Sequence, residues 1–131
     1  MSIHESKHII QTLVGQQITR VSIEPCSVSL LFNNAEIYIE SGWKLKAPDG
    51  SLLDRDQKIT ERKSFELWRI TGHSVIGVEF TDQLLPDFVL QIDNKSSLEI
   101  NSSNDGMEDW SLVTPSTKVY CNGETVTVFS I

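Results

Sequence analysis

Five acidic residues, Asp82, Asp87, Asp105, Glu108 and Asp109, are the side chains here with the most chemistry open to them. Paired carboxylates can act as general acid and base, bind a cation, or present negative potential to a basic partner. Acid–base work needs an apolar pocket that drives two carboxyl pKa values apart, and nothing around Asp82 and Asp87 supplies one. A calcium loop needs more oxygen ligands and a fixed glycine, which Asp54-Arg55-Asp56 lacks. His4 and His8 have the i, i+4 spacing that lets two imidazoles on a helix share a metal, but no Glu-x-x-His context accompanies them. Neither Cys26 nor Cys121 has a histidine in a recognisable nucleophile motif, and no glycine-rich phosphate loop occurs. The expectation is a non-catalytic protein without cofactor or metal, whose five acids either form a partner-binding surface or serve only as a solvated face.

Charge supports a protein partner. The chain of 131 residues carries a formal charge of −7, which disfavours nucleic acid and anionic membrane, since both reward a basic patch. Between Glu79 and Asp109 lie eight acids against Lys95 alone, so the whole net charge sits in that one stretch. Apolar residues at 39% and charged residues at 22% fit an ordinary globular domain. Its length fits a single domain over 1–131. No apolar run reaches the roughly 20 residues of a membrane span. The N-terminal residues show no apolar signal core, making the cytoplasm the default location. Two cysteines do not suggest a disulfide framework, so both are read as reduced and buried.

The elements that must position these acids are written twice. Leu13-Val14-Gly15-x-x-Ile18-x-x-Val21, Leu30-x-Phe32-x-Asn34, Ile37-x-Ile39 and Trp43-x-Leu45-x-x-Pro48 return as Ile70-Thr71-Gly72-x-x-Val75-x-x-Val78, Leu90-x-Ile92-x-Asn94, Leu98-x-Ile100 and Trp110-x-Leu112-x-x-Pro115. Such self-similarity governs the fold. Before each glycine the apolar spacing is helical, with Ser6 and Thr60 as candidate starts and Gly15 and Gly72 as stops. After each glycine the pattern alternates, as in a strand with one buried face. Asn33-Asn34 and Asp93-Asn94 read as hairpin turns, being tolerant of positive φ. Proline ends the fourth strands near Pro48 and Pro115. The expected fold is α+β and mainly antiparallel β. Two helix-plus-four-strand-meander repeats (about 2–50 and about 60–117) form a sandwich or open barrel with internal pseudo-twofold symmetry. A linker at about 51–59 joins them, and a C-terminal hairpin at about 118–131 turns at Asn122-Gly123.

The copies disagree by ten residues: 57 separate Gly15 from Gly72, whereas 67 separate Trp43 from Trp110. The larger insertions, Thr81 to Val89 and Asn101 to Asp109, hold all five acids. In an up-and-down meander the loops after the first and third strands share one end of the sheet, which would place these acids side by side. Trp43 and Trp110 occupy equivalent positions and are expected in paired core or boundary roles. Trp68 is matched only by Gln11, which suggests a role in one half alone, such as anchoring a protein interface.

The second copy resembles a family of small, uncharacterised bacterial β-rich domains. The matching residues are Ile70-x-Gly72-x-x-Val75-x-x-Val78, Leu90-x-Ile92-x-Asn94-x-x-x-Leu98-x-Ile100, Met107-Glu108-Asp109-Trp110-x-Leu112-x-x-Pro115 and Lys118-Val119-Tyr120-Cys121-Asn122-Gly123-Glu124. The likeness covers Glu61 to Phe129 and, more loosely, the first copy. Such domains are similar to the immunity proteins of polymorphic and contact-dependent toxin systems. The resemblance implies an inhibitor that occludes a cognate toxin domain of basic character. A small-molecule or carbohydrate module, or an architectural homodimer subunit, stays open as the alternative.

Overall fold

The computed structural model describes residues 2–24, 27–40, 42–54, 61–81, 87–101, 109–122 and 125–131. The first half contributes α1 (Ser2–Gln11), β1 (Ile18–Glu24), β2 (Ser27–Phe32), β3 (Glu36–Ile39), β4 (Trp43–Lys46) and β5 (Leu52–Asp54). The second contributes α2 (Glu61–Trp68), β6 (Val75–Phe80), β7 (Phe88–Ile92), β8 (Ser97–Ile100), β9 (Trp110–Val113), β10 (Thr117–Cys121) and β11 (Val126–Ser130). All named strand pairs are antiparallel and form two sheets that do not close into a barrel. One sheet has the order β1-β2-β3-β9-β10-β11, the other β5-β4-β8-β7-β6. A single cluster of buried residues draws on both sheets and both helical segments, from Ile10 and Leu13 through Trp43, Phe88 and Trp110 to Val119. No helix among the described residues is long and apolar enough to cross a membrane.

The strand order corrects the expected four-strand meanders. Each half forms only a three-stranded one, β1-β2-β3 or β6-β7-β8. The fourth strand then leaves for the other sheet, so that β4 pairs with β8 and β9 with β3. Alternation dictates which face a residue takes but not which strand lies beside it. A lone three-stranded sheet would leave the edges of β3 and β8 unpaired, and the exchange covers both. It also turns both tryptophans inward, with Trp43 facing the core from one sheet and Trp110 from the other. Leu52, expected at the head of a linker, starts the short edge strand β5.

Helix α1 begins at Ser2, so Ser6 is an interior residue and not a start. It is buried, and its hydroxyl donates to the Ile3 carbonyl at 2.7 Å, which satisfies that hydroxyl away from water. Thr60 lies outside the described residues. Gly15 and Gly72 adopt φ of +89° and +85°, as expected where a chain leaves a helical turn. The hairpin turns differ from expectation. Among described non-glycine residues only Lys95 has positive φ, while Asn94 accepts the Ser96 N–H through its side chain and Asn33 accepts that of Gln17. At the C-terminal hairpin, Cys121 pairs with Val126, the Asn122 N–H donates to the Thr125 carbonyl, and Asn122 Oδ1 accepts from the Thr125 N–H; Gly123 of the expected turn lies outside the described residues.

Where the two halves meet, Gly15 N–H donates to the Val75 carbonyl (2.8 Å) and Gly72 N–H to the Ile18 carbonyl (2.7 Å). Ile18 N–H bonds the His73 carbonyl, Val75 N–H bonds the Gln16 carbonyl, and Gln17 and Ser74 form a bridge between them. A Cβ added at either glycine would meet no atom within 4 Å. The cost of Gly15→Ala or Gly72→Ala is therefore that of the left-handed backbone, about 1–2 kcal/mol each. Urea unfolding should show both midpoints falling with an unchanged slope. A loss below about 0.3 kcal/mol would mean that these turns relax to negative φ.

Candidate functional site

The two described members of the acidic set are not surface charges. Asp87 is 9% exposed and Asp109 only 1%. Each immediately precedes a strand whose first residue is a core aromatic, Phe88 in β7 and Trp110 in β9. Those rings meet edge-to-face at 5.2 Å and 83°, which draws the ends of both insertions inward. The Asp109 backbone is also tied down, its N–H to the Cys121 carbonyl and its carbonyl to the Glu40 N–H. Phe88 and Trp110 thus meet in the core although β7 and β9 belong to different sheets, and Asp87 and Asp109 are absorbed into the body of the fold. Asp82, Asp105 and Glu108 lie outside the described residues.

A further ionisable pair meets among the described residues. His73 Nδ1 lies 2.8 Å from Asp93 Oδ1, both side chains being well exposed, and the pair links the β7–β8 turn to the segment that follows Gly72. Among the described residues no group of three or more His, Cys, Asp or Glu could hold a metal. Cys121 is a buried thiol, and Cys26 and residues 55–60 are outside the described set.

Helix α2 is the element that separates the halves chemically. Its buried side carries Leu67, continued by Ile70 in the turn. Phe65 and Trp68, three residues apart and hence on one side of the helix, are 58% and 55% exposed. At the equivalent positions of the first half stand His8 and Gln11. The Arg69 guanidinium lies over the Phe65 ring at 5.6 Å and also binds both oxygens of Glu66 at 3.2 Å. One arginine therefore orients an exposed aromatic and satisfies a buried carboxylate. An exposed aromatic pair steadied in this way suits the buried centre of a protein interface.

The outer faces of the sheets form a second contrast, which sequence reasoning missed. Across the six-stranded sheet the register aligns Arg20, Leu31, Glu36, Val113, Lys118 and Phe129 in one row. A neighbouring row runs Ser22, Ser29, Tyr38, Ser111, Tyr120 and Thr127. Leu31, Val113 and Phe129 are exposed apolar side chains. The five-stranded sheet instead turns Lys44, Lys46, Gln91 and Glu99 outward. The signal was present in Leu30-Leu31-Phe32 and Leu112-Val113, where an apolar residue sits at the outward position of an alternating strand. A hollow of about 150 Å³ lies among Arg20, Ser22, Ser29, Leu31 and Glu36. A shallow depression of about 280 Å³ lies between the β2–β3 and β9–β10 turns, lined by Leu31, Asn34, Val113 and Pro115 among others. The Tyr38 hydroxyl is pulled both ways: a hydrogen bond with Ser27 lowers its pKa, while donation to Glu40 at 2.9 Å and partial burial raise it. The net result lies above the ordinary phenol value.

No family model, curated protein or solved structure matches this chain.

Proposed function

We propose that this chain is a non-catalytic protein-binding domain and that the Phe65/Trp68 side of α2 is its principal contact. The observation that carries this reading is the exposure of two large aromatic side chains, three residues apart, on a helix whose counterpart is polar there. Burying such a pair is worth several kcal/mol to an interface, because aromatic anchors dominate binding energy. The net charge of −7 favours a basic protein over nucleic acid. The particular form suggested by the sequence resemblance is a cytoplasmic immunity protein that occludes a cognate bacterial toxin domain. Its negative rim would be supplied by Asp82, Asp105 and Glu108. We further infer that the halves are copies of one unit about a pseudo-twofold axis between Gln17 and Ser74. The four backbone hydrogen bonds that cross beside Gln17 and Ser74 support this, since each has a mate whose donor and acceptor are its own shifted by 57 positions.

Calorimetric titration against basic toxin domains encoded beside this gene tests the reading. Phe65→Ala/Trp68→Ala should weaken binding at least about a hundredfold, roughly 2.7 kcal/mol, with no loss of thermal midpoint. Unchanged affinity would remove α2 from the interface. Neutralising Asp82, Asp105 and Glu108 together should cost about tenfold or more and flatten the salt dependence. A smaller effect would leave steric occlusion as the whole mechanism.

A further inference from the structure

We propose that the outer face of the six-stranded sheet is covered by a second copy of this chain, related by a twofold axis that runs along β9 and passes over Val113. The inference goes beyond the proposed partner binding and uses a different surface. Its basis is the order of side chains in the exposed row: Arg20, Leu31, Glu36, Val113, Lys118, Phe129, one from each successive strand. When a sheet packs on its own copy about an axis parallel to its strands, each row meets itself reversed. With the axis over β9, Leu31 faces Phe129 of the other copy, Glu36 faces Lys118, and Val113 faces Val113. Each heterotypic contact occurs twice.

Other placements fail on charge. An axis over β3 sets Glu36 against Glu36 and Arg20 against Lys118, and an axis over β10 sets Lys118 against Lys118. Axes between β3 and β9 or between β9 and β10 put charges against leucine, valine or phenylalanine. An axis over β2 engages only three strands. Opposed like charges and charges pressed onto apolar groups both penalise an interface. The neighbouring row agrees with the β9 placement. Tyr38 meets Tyr120 twice, Ser111 meets Ser111, and Ser29 meets Thr127. The small, nearly buried Ser111 leaves room between the two tyrosine pairs. Lys118 already extends along the face, its Nζ 5.8 Å from the Tyr120 ring centre.

The face is small. Five strands spaced by about 4.8 Å and two rows about 6.8 Å apart cover roughly 24 by 14 Å, or about 650 Å² over both copies. That is below the usual size of a stable interface, so the dimer should be weak and reversible. Aligned sheets cross at about −30°, which the axis accommodates by bisecting the angle between the two β9 strands. Strand β1 lies outside the matched five, and α2 packs beside β1. Phe65 and Trp68 therefore stay free for another partner.

Sedimentation equilibrium on the full chain tests this. The parent protein should dimerise with a dissociation constant of about 1–100 µM, the affinity expected of a small interface. Val113→Lys puts two ammonium groups on the axis from a position 38% exposed. It should weaken the dimer about a hundredfold while leaving the circular dichroism and thermal midpoint of the monomer unchanged. Glu36→Lys and Lys118→Glu should each weaken it about tenfold, and the double swap should restore it to within about threefold of the parent. Oxidised Val113→Cys should form a covalent dimer through its own copy. A parent that stays monomeric at about 500 µM, or a charge-swapped pair no tighter than the single variants, overturns the proposal. These tests hold whether or not α2 binds a toxin, since the Val113→Lys monomer keeps Phe65 and Trp68 intact for that separate titration.

Discussion

Replacing Trp110 by alanine is expected to remove about 3–5 kcal/mol of folding free energy, the cost of emptying a large buried aromatic site. Trp110 is fully buried at the start of β9, between Ile39 of β3 and Cys121 of β10. Its ring also meets Phe88, which belongs to the other sheet. The substitution therefore opens a cavity where both sheets and two exchanged elements come together. Its indole Nε1 has no hydrogen-bond partner among the described residues. The loss is thus one of packing, and Trp110→Phe should recover about half of it. A domain of this size has only about 5–15 kcal/mol to spare, so Trp110→Ala should unfold at a much lower urea concentration or fail to accumulate. A shift of under about 1.5 kcal/mol would mean that the surrounding side chains collapse into the space.

Arg69→Ala should destabilise the chain by about 1–3 kcal/mol, because a buried carboxylate then loses its donors. The Glu66 side chain is 7% exposed and Arg69 is 43% exposed. Solvent screening of the arginine pulls the expected value toward the lower end of that range. A double-mutant cycle separates the contributions. Glu66→Leu/Arg69→Ala should be more stable than Arg69→Ala alone, since an apolar side chain needs no donor. If Arg69→Ala cost under about 0.3 kcal/mol, water would be serving Glu66 as well as the guanidinium does. The same substitution releases Phe65 from the cation above it. Partner affinity should then fall further than stability alone accounts for.

Much of the fold was legible from residue order. Gly15 and Gly72 close their helical turns with positive φ, Leu30-x-Phe32 and Leu90-x-Ile92 lie within strands, and Trp43 and Trp110 are buried. These are local properties of backbone conformation and alternation. Strand neighbours are not local. The short gap between Ile39 and Trp43 suggests a fourth strand beside the third, yet β4 lies in the other sheet. The acids show the same limit. Asp87 and Asp109 read as loop residues because they are charged and lie in insertions, but each is one peptide bond from a buried aromatic and follows it inward. Trp68 was recognisable because its counterpart, Gln11, is polar. The self-complementary row needed the register of all six strands, which no single segment of sequence contains.

The exchange of strands has a consequence for how the molecule can come apart. The first half gives β4 and β5 to the sheet of β6–β8, and the second gives β9–β11 to the sheet of β1–β3. If the backbone were cut within residues 55–60, neither piece would hold a finished sheet, and each would carry the strands that complete the other. The two fragments should be poorly folded alone and recover the fold only when mixed, like the two sides of a clasp. In the intact chain this makes local opening expensive. Releasing α2 or either meander also pulls on strands embedded in the opposite sheet, so the protein should unfold in one concerted step.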